Sequence, residues 1–133
     1  MAWSDIPSSS ELKPGLNATG SAPIYAPRAW WDLNGTGSIA MNNSGNCTAT
    51  DNGTGLYTIN FTTAMPATTY AVALGEVTAQ GTTTTTRLFI QPSNSTFGLP
   101  EVKTTSALKL GYATSGAPGA YYDCASVVGS VTI

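Results

Sequence analysis

Residues 51–62 read Asp51-Asn52-Gly53-Thr54-Gly55-Leu56-Tyr57-Thr58-Ile59-Asn60-Phe61-Thr62, and this stretch decides the fold class. Asn and Gly both tolerate φ > 0, which is what the tight turn of a β-hairpin requires. Beyond the turn, Tyr57, Ile59 and Phe61 fall on one side of an extended chain, with Thr58, Asn60 and Thr62 on the other. That strict alternation predicts a half-buried strand. The same tetrapeptide occurs earlier as Asn34-Gly35-Thr36-Gly37, between residues 28–33 and 38–41, and predicts a second hairpin.

Working outward, the pattern repeats. Tyr70, Val72 and Leu74 share one side of 69–75, and Leu88 and Ile90 one side of 87–91. Leu108, Leu110 and Tyr112 alternate within 102–112, opposite Lys103 and Lys109, and a last strand is expected over 121–131. Breakers separate these runs: Ala64-Met65-Pro66-Ala67, Pro92-Ser93-Asn94-Ser95, Gly98-Leu99-Pro100 and Gly116-Ala117-Pro118-Gly119. No segment carries a helical period. About eight short strands with regular turns predict an all-β fold, an antiparallel sandwich or barrel spanning 28–133. Residues 1–27 hold Pro7, Pro14, Pro23 and Pro27, half of the 8 prolines, and show no period at all. Proline fixes φ and extends the residue before it, so this segment is expected to be an extended N-terminal arm. Its apolar residues Trp3, Ile6, Leu12, Leu16, Ile24 and Tyr25 are candidate anchors on a neighbouring subunit or another protein.

The 133-residue chain is 41% hydrophobic but only 9% charged, with 5 Lys+Arg, 7 Asp+Glu, no His and a net charge of -2. Soluble domains usually carry charge on about 25% of residues. Five scattered basic residues cannot neutralise a run of phosphates, so nucleic acid is not an expected partner. Without histidine there is no Ser-His-Asp or Cys-His machinery and no histidine metal site, and no cofactor is expected. No run approaches the roughly 18 apolar residues of a spanning helix, and residues 1–7 have neither a basic nor a continuous apolar region, so neither membrane insertion nor a secretory signal is expected. Cys47 and Cys124 are then expected to be two small buried thiols rather than a disulfide. A surface this poor in charge is weakly protected against association, and homo-oligomerisation is expected.

Motifs that could carry chemistry have simpler explanations. Ser10-Glu11-Leu12-Lys13 and Ser106-Ala107-Leu108-Lys109 match S-x-x-K, but the first lies in the arm. On a strand, residues three apart face opposite sides. A glycosidase pair would have to come from Asp32, Asp51, Glu76, Glu101 and Asp123, most of which sit at turns or strand ends, where acids cap turns. No enzyme activity is expected. Asn17, Asn34, Asn42, Asn46, Asn52, Asn60 and Asn94 each begin an N-x-[ST] triplet, which follows from abundant Ser and Thr rather than from glycosylation. Trp30 and Trp31 are adjacent and so face opposite sides of a strand, as do Tyr121 and Tyr122. One of each pair is expected outside the core. These four are candidates for an oligomer interface or for stacking on a sugar, the interface being preferred because Trp and Tyr are enriched there.

From Arg28-Ala29-Trp30-Trp31-Asp32-Leu33-Asn34-Gly35-Thr36-Gly37, through Asp51 to Pro66, and on to Tyr70-Ala71-Val72, the chain resembles a domain of tailed-bacteriophage structural proteins. Those proteins read N-G-T-G, then D-N-G-T-G-x-Y-T-V-N-F-T-x-A-M-P, then Y-A-V. The likeness covers 28–74 well and thins afterwards. It implies a β-rich, trimeric, non-enzymatic virion component, assembled in the host cytoplasm. No heptad repeat or collagen-like shaft precedes the domain in this sequence, which favours a capsid decoration, or cement, protein over a fibre tip. In that reading the arm ties the trimer to the major capsid protein. The alternative is a tail-fibre tip or receptor-binding module that recognises host surface glycans.

Overall fold

The structure, a computed structural model, describes residues 26–77, 86–90, 103–114 and 121–132. The arm anchors Trp3, Ile6, Leu12, Leu16, Ile24 and Tyr25 lie outside the described residues. Among the described residues there are eight strands: β1 (Pro27–Asn34), β2 (Ala40–Gly45), β3 (Cys47–Asp51), β4 (Leu56–Phe61), β5 (Ala71–Val77), β6 (Thr86–Ile90), β7 (Ala107–Thr114) and β8 (Ser126–Thr132). They form two four-stranded sheets, ordered β2-β1-β8-β5 and β3-β4-β7-β6, with every described pairing antiparallel. The architecture is a sandwich, not a closed barrel. β1 opens at Pro27, one residue before the boundary expected from composition, and proline is tolerated at the first residue of a strand.

Both Asn-Gly hairpins form as their sequence predicts. β1 pairs with β2 across residues 35–39, and β3 with β4 across 52–55. Asn34 Oδ1 accepts from the Thr36 N–H at 3.0 Å, and Asp51 Oδ1 from the Gly53 N–H at 2.8 Å. These are side-chain turns of the kind Asn and Asp favour. Gly53 and Gly55 have φ of 115° and 66°, a region that residues with a Cβ rarely adopt.

A single residue, Asn46, separates β2 in the first sheet from β3 in the second. Its φ is 57°, the one positive value among the described non-glycine residues. The side chain secures the corner on both sides. Nδ2 donates to Arg28 O at 2.9 Å and to Thr63 O at 3.1 Å, while Oδ1 accepts from the Thr63 N–H at 2.7 Å. Arg28 belongs to one sheet, and Thr63 follows β4 of the other.

The core fills the space between the sheets. Ala29, Trp31, Leu33, Val127 and Val131 come from one side; Tyr57, Ile59, Phe61, Leu108, Leu110 and Tyr112 from the other. Met65, Tyr70 and Cys124 close it from connecting segments. Each of the larger aliphatic side chains among them contributes about 1.5–3 kcal/mol when fully removed from water. Two expected strands are shorter than the alternation suggests. The chain turns at Thr104–Ser106, where the Thr104 N–H donates to Ala107 O at 2.9 Å, so Lys103 bridges back to Leu108 instead of continuing β7. The last strand begins at Ser126 rather than Tyr121.

At the end of the sandwich opposite Asn46, the Tyr57 hydroxyl ties the sheets together. It donates to Gly35 O and accepts from the Cys124 N–H, both at 3.1 Å, while the Gly35 N–H donates to Cys124 O at 2.9 Å. Tyr70 plays a matching part at the Asn46 end, donating to Thr104 O at 3.0 Å and meeting Phe61 edge-on. Burial pushes both phenols up to about 12, with the carboxylates of Asp123 and Asp51 adding to the effect at Tyr57. The folded protein therefore keeps two protons that the unfolded chain releases near pH 10. Stability is full below pH 10 and falls as pH rises toward 12, by on the order of 2–3 kcal/mol per tyrosine. Denaturant midpoints measured from pH 8 to pH 12 should drop above pH 10, and the Tyr57→Phe variant should show a shallower drop from a lower starting stability.

Candidate interaction surface

The outward faces of the two sheets differ in kind. On β3, β4 and β7 the outer positions include Thr48, Thr50, Thr58, Asn60 and Lys109, placed side by side by the register. Their polar atoms satisfy one another: Asn60 Nδ2 donates to Thr50 Oγ1 at 2.9 Å, and Asn52 Nδ2 to Thr58 Oγ1 at 2.6 Å. This is a hydrogen-bonded face, polar throughout with Lys109 as its charge, and suited to water.

The outer face of the other sheet combines an exposed aromatic and small residues with two charged ones, Arg28 and Asp32 of β1. Trp30 on β1 is 41% exposed and Val128 on β8 is 38% exposed, and around them lie Ala73, Gly75 and Ser130. Trp30 stands opposite Gly45 of β2, and a Cβ on Gly45 would collide with the indole Nε1. The glycine thus lets the ring lie flat on the sheet with its far face open. Trp31 points the other way, 2% exposed, and lies over Gly129 of β8 in the core. Its Nε1 is the one buried side-chain N or O atom among the described residues that has no hydrogen-bond partner. The expectation that one of these two tryptophans faces outward is met by Trp30, and Trp31 is withdrawn as a surface candidate.

Tyr121 and Tyr122 depart from the expected alternation: both are exposed, at 39% and 44%. They precede β8 rather than belonging to it, so the two-residue period of a strand does not govern them. Tyr121 makes an isolated bridge to Ala113, and the Tyr122 N–H donates to Tyr112 O at 3.1 Å. The segment lies over Gly55, where a Cβ would strike the Tyr122 and Tyr112 backbones, and Asp123 Oδ1 accepts from the Gly55 N–H at 3.0 Å. The two tyrosines therefore sit at the Asn-Gly end of the sandwich, away from Asn46.

Three of the described acidic residues, Asp32, Asp51 and Asp123, have structural duties. Asp51 and Asp123 each accept a glycine N–H, and Asp32 Oδ1 accepts from Asn42 Nδ2 and Ser126 Oγ, both at 3.3 Å. Glu101 lies outside the described residues. A shallow cleft of about 290 Å³ between β5 and β6 is lined, among the described residues, by Leu74, Gly75, Glu76 and Leu88, which bring a ligand no converging set of polar groups. Cys47 and Cys124 are buried and form no disulfide; their thiols donate to Trp30 O and Ser126 O, both at 3.2 Å. Burial pushes the Cys47 thiol up, away from thiolate chemistry. Among the described residues no helix is long and apolar enough to cross a membrane, and no group of three or more His, Cys, Asp or Glu could hold a metal. Comparison with protein-family models, curated proteins and solved structures finds no match to this chain.

Trp30 is legible in the sequence by alternation; the glycines beneath the two indoles are not, because strand partners so far apart along the chain carry no local signal. The two contacts differ in consequence. At Gly129 a methyl group would meet both the buried Trp31 ring and Ala73 O, and neither can retreat. At Gly45 it would meet an indole that is free to swing into solvent. Gly129→Ala should cost about 1–3 kcal/mol in chemical denaturation, as core overpacking does, and Gly45→Ala clearly less.

Proposed function

We propose that this chain is a structural component of a tailed-phage virion, a capsid decoration protein whose arm grips the shell and whose β-sandwich stands on it. The observation that carries the reading is the motif over residues 51–66 and what its residues do. Asp51 and Gly53 make the turn, and Gly55 admits the backbone that crosses it. Tyr57 ties the sheets, Phe61 packs on Tyr70, and buried Met65 donates its N–H to Thr105 O at 2.7 Å. Every one of these roles is architectural. A motif spent entirely on the fold suits a protein selected to be a stable, repeated piece of an assembly, and no catalytic role is proposed.

The polarity of the domain supports the same reading. Pro27 and Thr132 are cross-strand partners at the Asn46 end, so the arm is joined to the sandwich at that end. The Asn-Gly turns with Tyr121 and Tyr122 occupy the other end. An arm bound to the major capsid protein would present those turns outward. Self-association, with three copies as the resemblance implies, would bring many weak arm contacts together through effective concentration. The exposed tyrosine pair also favours a second reading, a receptor-binding module that stacks on host surface glycans.

The arm provides the test. Removal of residues 1–25 leaves β1 complete, so the domain should fold, while occupancy on capsids in a binding assay should fall by at least tenfold. Unchanged occupancy would remove the clamp from the account. Glycan-array signal from the full chain, lost on Tyr121→Ala and Tyr122→Ala substitution, would favour the second reading.

A further inference from the structure

We propose that the outer face of the β2-β1-β8-β5 sheet is a self-association surface, at which two copies of this chain meet across a two-fold axis through Trp30. β1 carries an exposed cation, Arg28, an exposed indole, Trp30, and a half-buried anion, Asp32, in chain order, with Arg28 at the bulge where β1 slips against β8 between Pro27 and Ala29. Trp30 and Asp32 are one two-residue step of about 6.6 Å apart, and the long Arg28 side chain reaches outward from the bulge on the other side of the indole. When a second copy lies over the first with its β1 reversed, each Arg28 falls opposite the partner copy's Asp32 and the two indoles meet at the centre. A two-fold interface requires just this self-complementarity, in which residue i meets j and j meets i. Placed in the same direction, the strands would oppose like charges. A surface for an unrelated partner has no need of such internal symmetry.

The neighbouring residues permit the contact. Asp32 is engaged by the uncharged donors Asn42 and Ser126 at 3.3 Å, distances that leave its charge open to a cation. Arg28 is exposed, and it is its backbone carbonyl, not its guanidinium, that takes the hydrogen bond from Asn46. Ala73, Gly75 and Ser130 are short enough to let a second sheet approach to about 10 Å. Val128 adds apolar area beside Gly75, with its Cγ2 2.8 Å from where a Cβ on that glycine would stand.

Four strands about 4.8 Å apart and roughly 20 Å long offer on the order of 400 Å² per copy, half of what a stable interface buries. The contact is therefore weak in dilute solution and fills where copies are concentrated. A two-fold contact cannot close a ring of three, so in a trimeric protein it joins one trimer to the next. The inference does not depend on the virion reading, since it is measured on the isolated chain.

Sedimentation over a concentration series tests it, on the full chain and on Trp30→Ala, Arg28→Asp, Asp32→Arg and the Arg28→Asp/Asp32→Arg double variant. The wild type should associate reversibly, and less as salt is raised. Trp30→Ala and each single reversal should weaken association at least tenfold, and the double variant should recover to within a few-fold of wild type. Absence of concentration-dependent association overturns the proposal, as does association indifferent to these substitutions, the result expected if a different partner uses this face. Should a single reversal fail to fold, the salt dependence of the wild type and the loss in Trp30→Ala still decide it.

Discussion

The corner at Asn46 is the constraint on which the rest of the molecule depends. A sandwich needs its chain to leave one sheet and start another, and here that happens in one residue between Gly45 and Cys47. The backbone must bend through a left-handed conformation, which asparagine tolerates better than other residues with a Cβ. The amide side chain then binds Arg28 O on one side and both polar backbone groups of Thr63 on the other. With that end fixed, β1 and β4 are held at the separation that lets Trp31 and Tyr57 share a core. Tyr57 completes the arrangement at the far end by joining Gly35 and Cys124 through one hydroxyl.

This division of labour explains why the recurring Asn-Gly-Thr-Gly elements matter. In the second, Gly53 turns the chain and Gly55 lets residues 121–123 pass over it. In the first, Gly35 leaves room for the Tyr57 hydroxyl. The residues that look most like a signature are those that close the ends of the sandwich. What remains for interaction is the surface: an outer sheet face with Trp30 at its middle, and a pair of tyrosines at the Asn-Gly end.

Much of the fold was legible locally. Alternation at Tyr57, Ile59 and Phe61, and again at Leu108, Leu110 and Tyr112, marks strands whose apolar sides are the ones buried. The same rule separates Trp30 from Trp31. It fails at Tyr121 and Tyr122 because aromatic residues in an irregular segment resemble a strand in composition while lacking its period. It also fails at Lys103, where a tight turn stabilised by Thr104 interrupts an otherwise regular alternation. Pairings such as β1 with β8, across which Ser126 Oγ donates to Asp32 Oδ1 94 positions away, have nothing local that specifies them. Asn46 carried a readable hint in the Gly45-Asn46 pair, but a turn within a sheet and a corner between sheets have the same composition.

Low charge takes on a physical meaning in this account. One sheet face is covered mainly by threonine and asparagine that satisfy each other, with Lys109 among them, and the opposite face by small residues around an indole flanked by Arg28 and Asp32, so the few charges are concentrated at defined places. The most direct measurement is an image of the intact particle that resolves where this chain sits and in how many copies. The account predicts hundreds of copies distributed over the capsid, with the Asn46 end facing the shell. A handful of copies at the tail, or none on the particle, would contradict it.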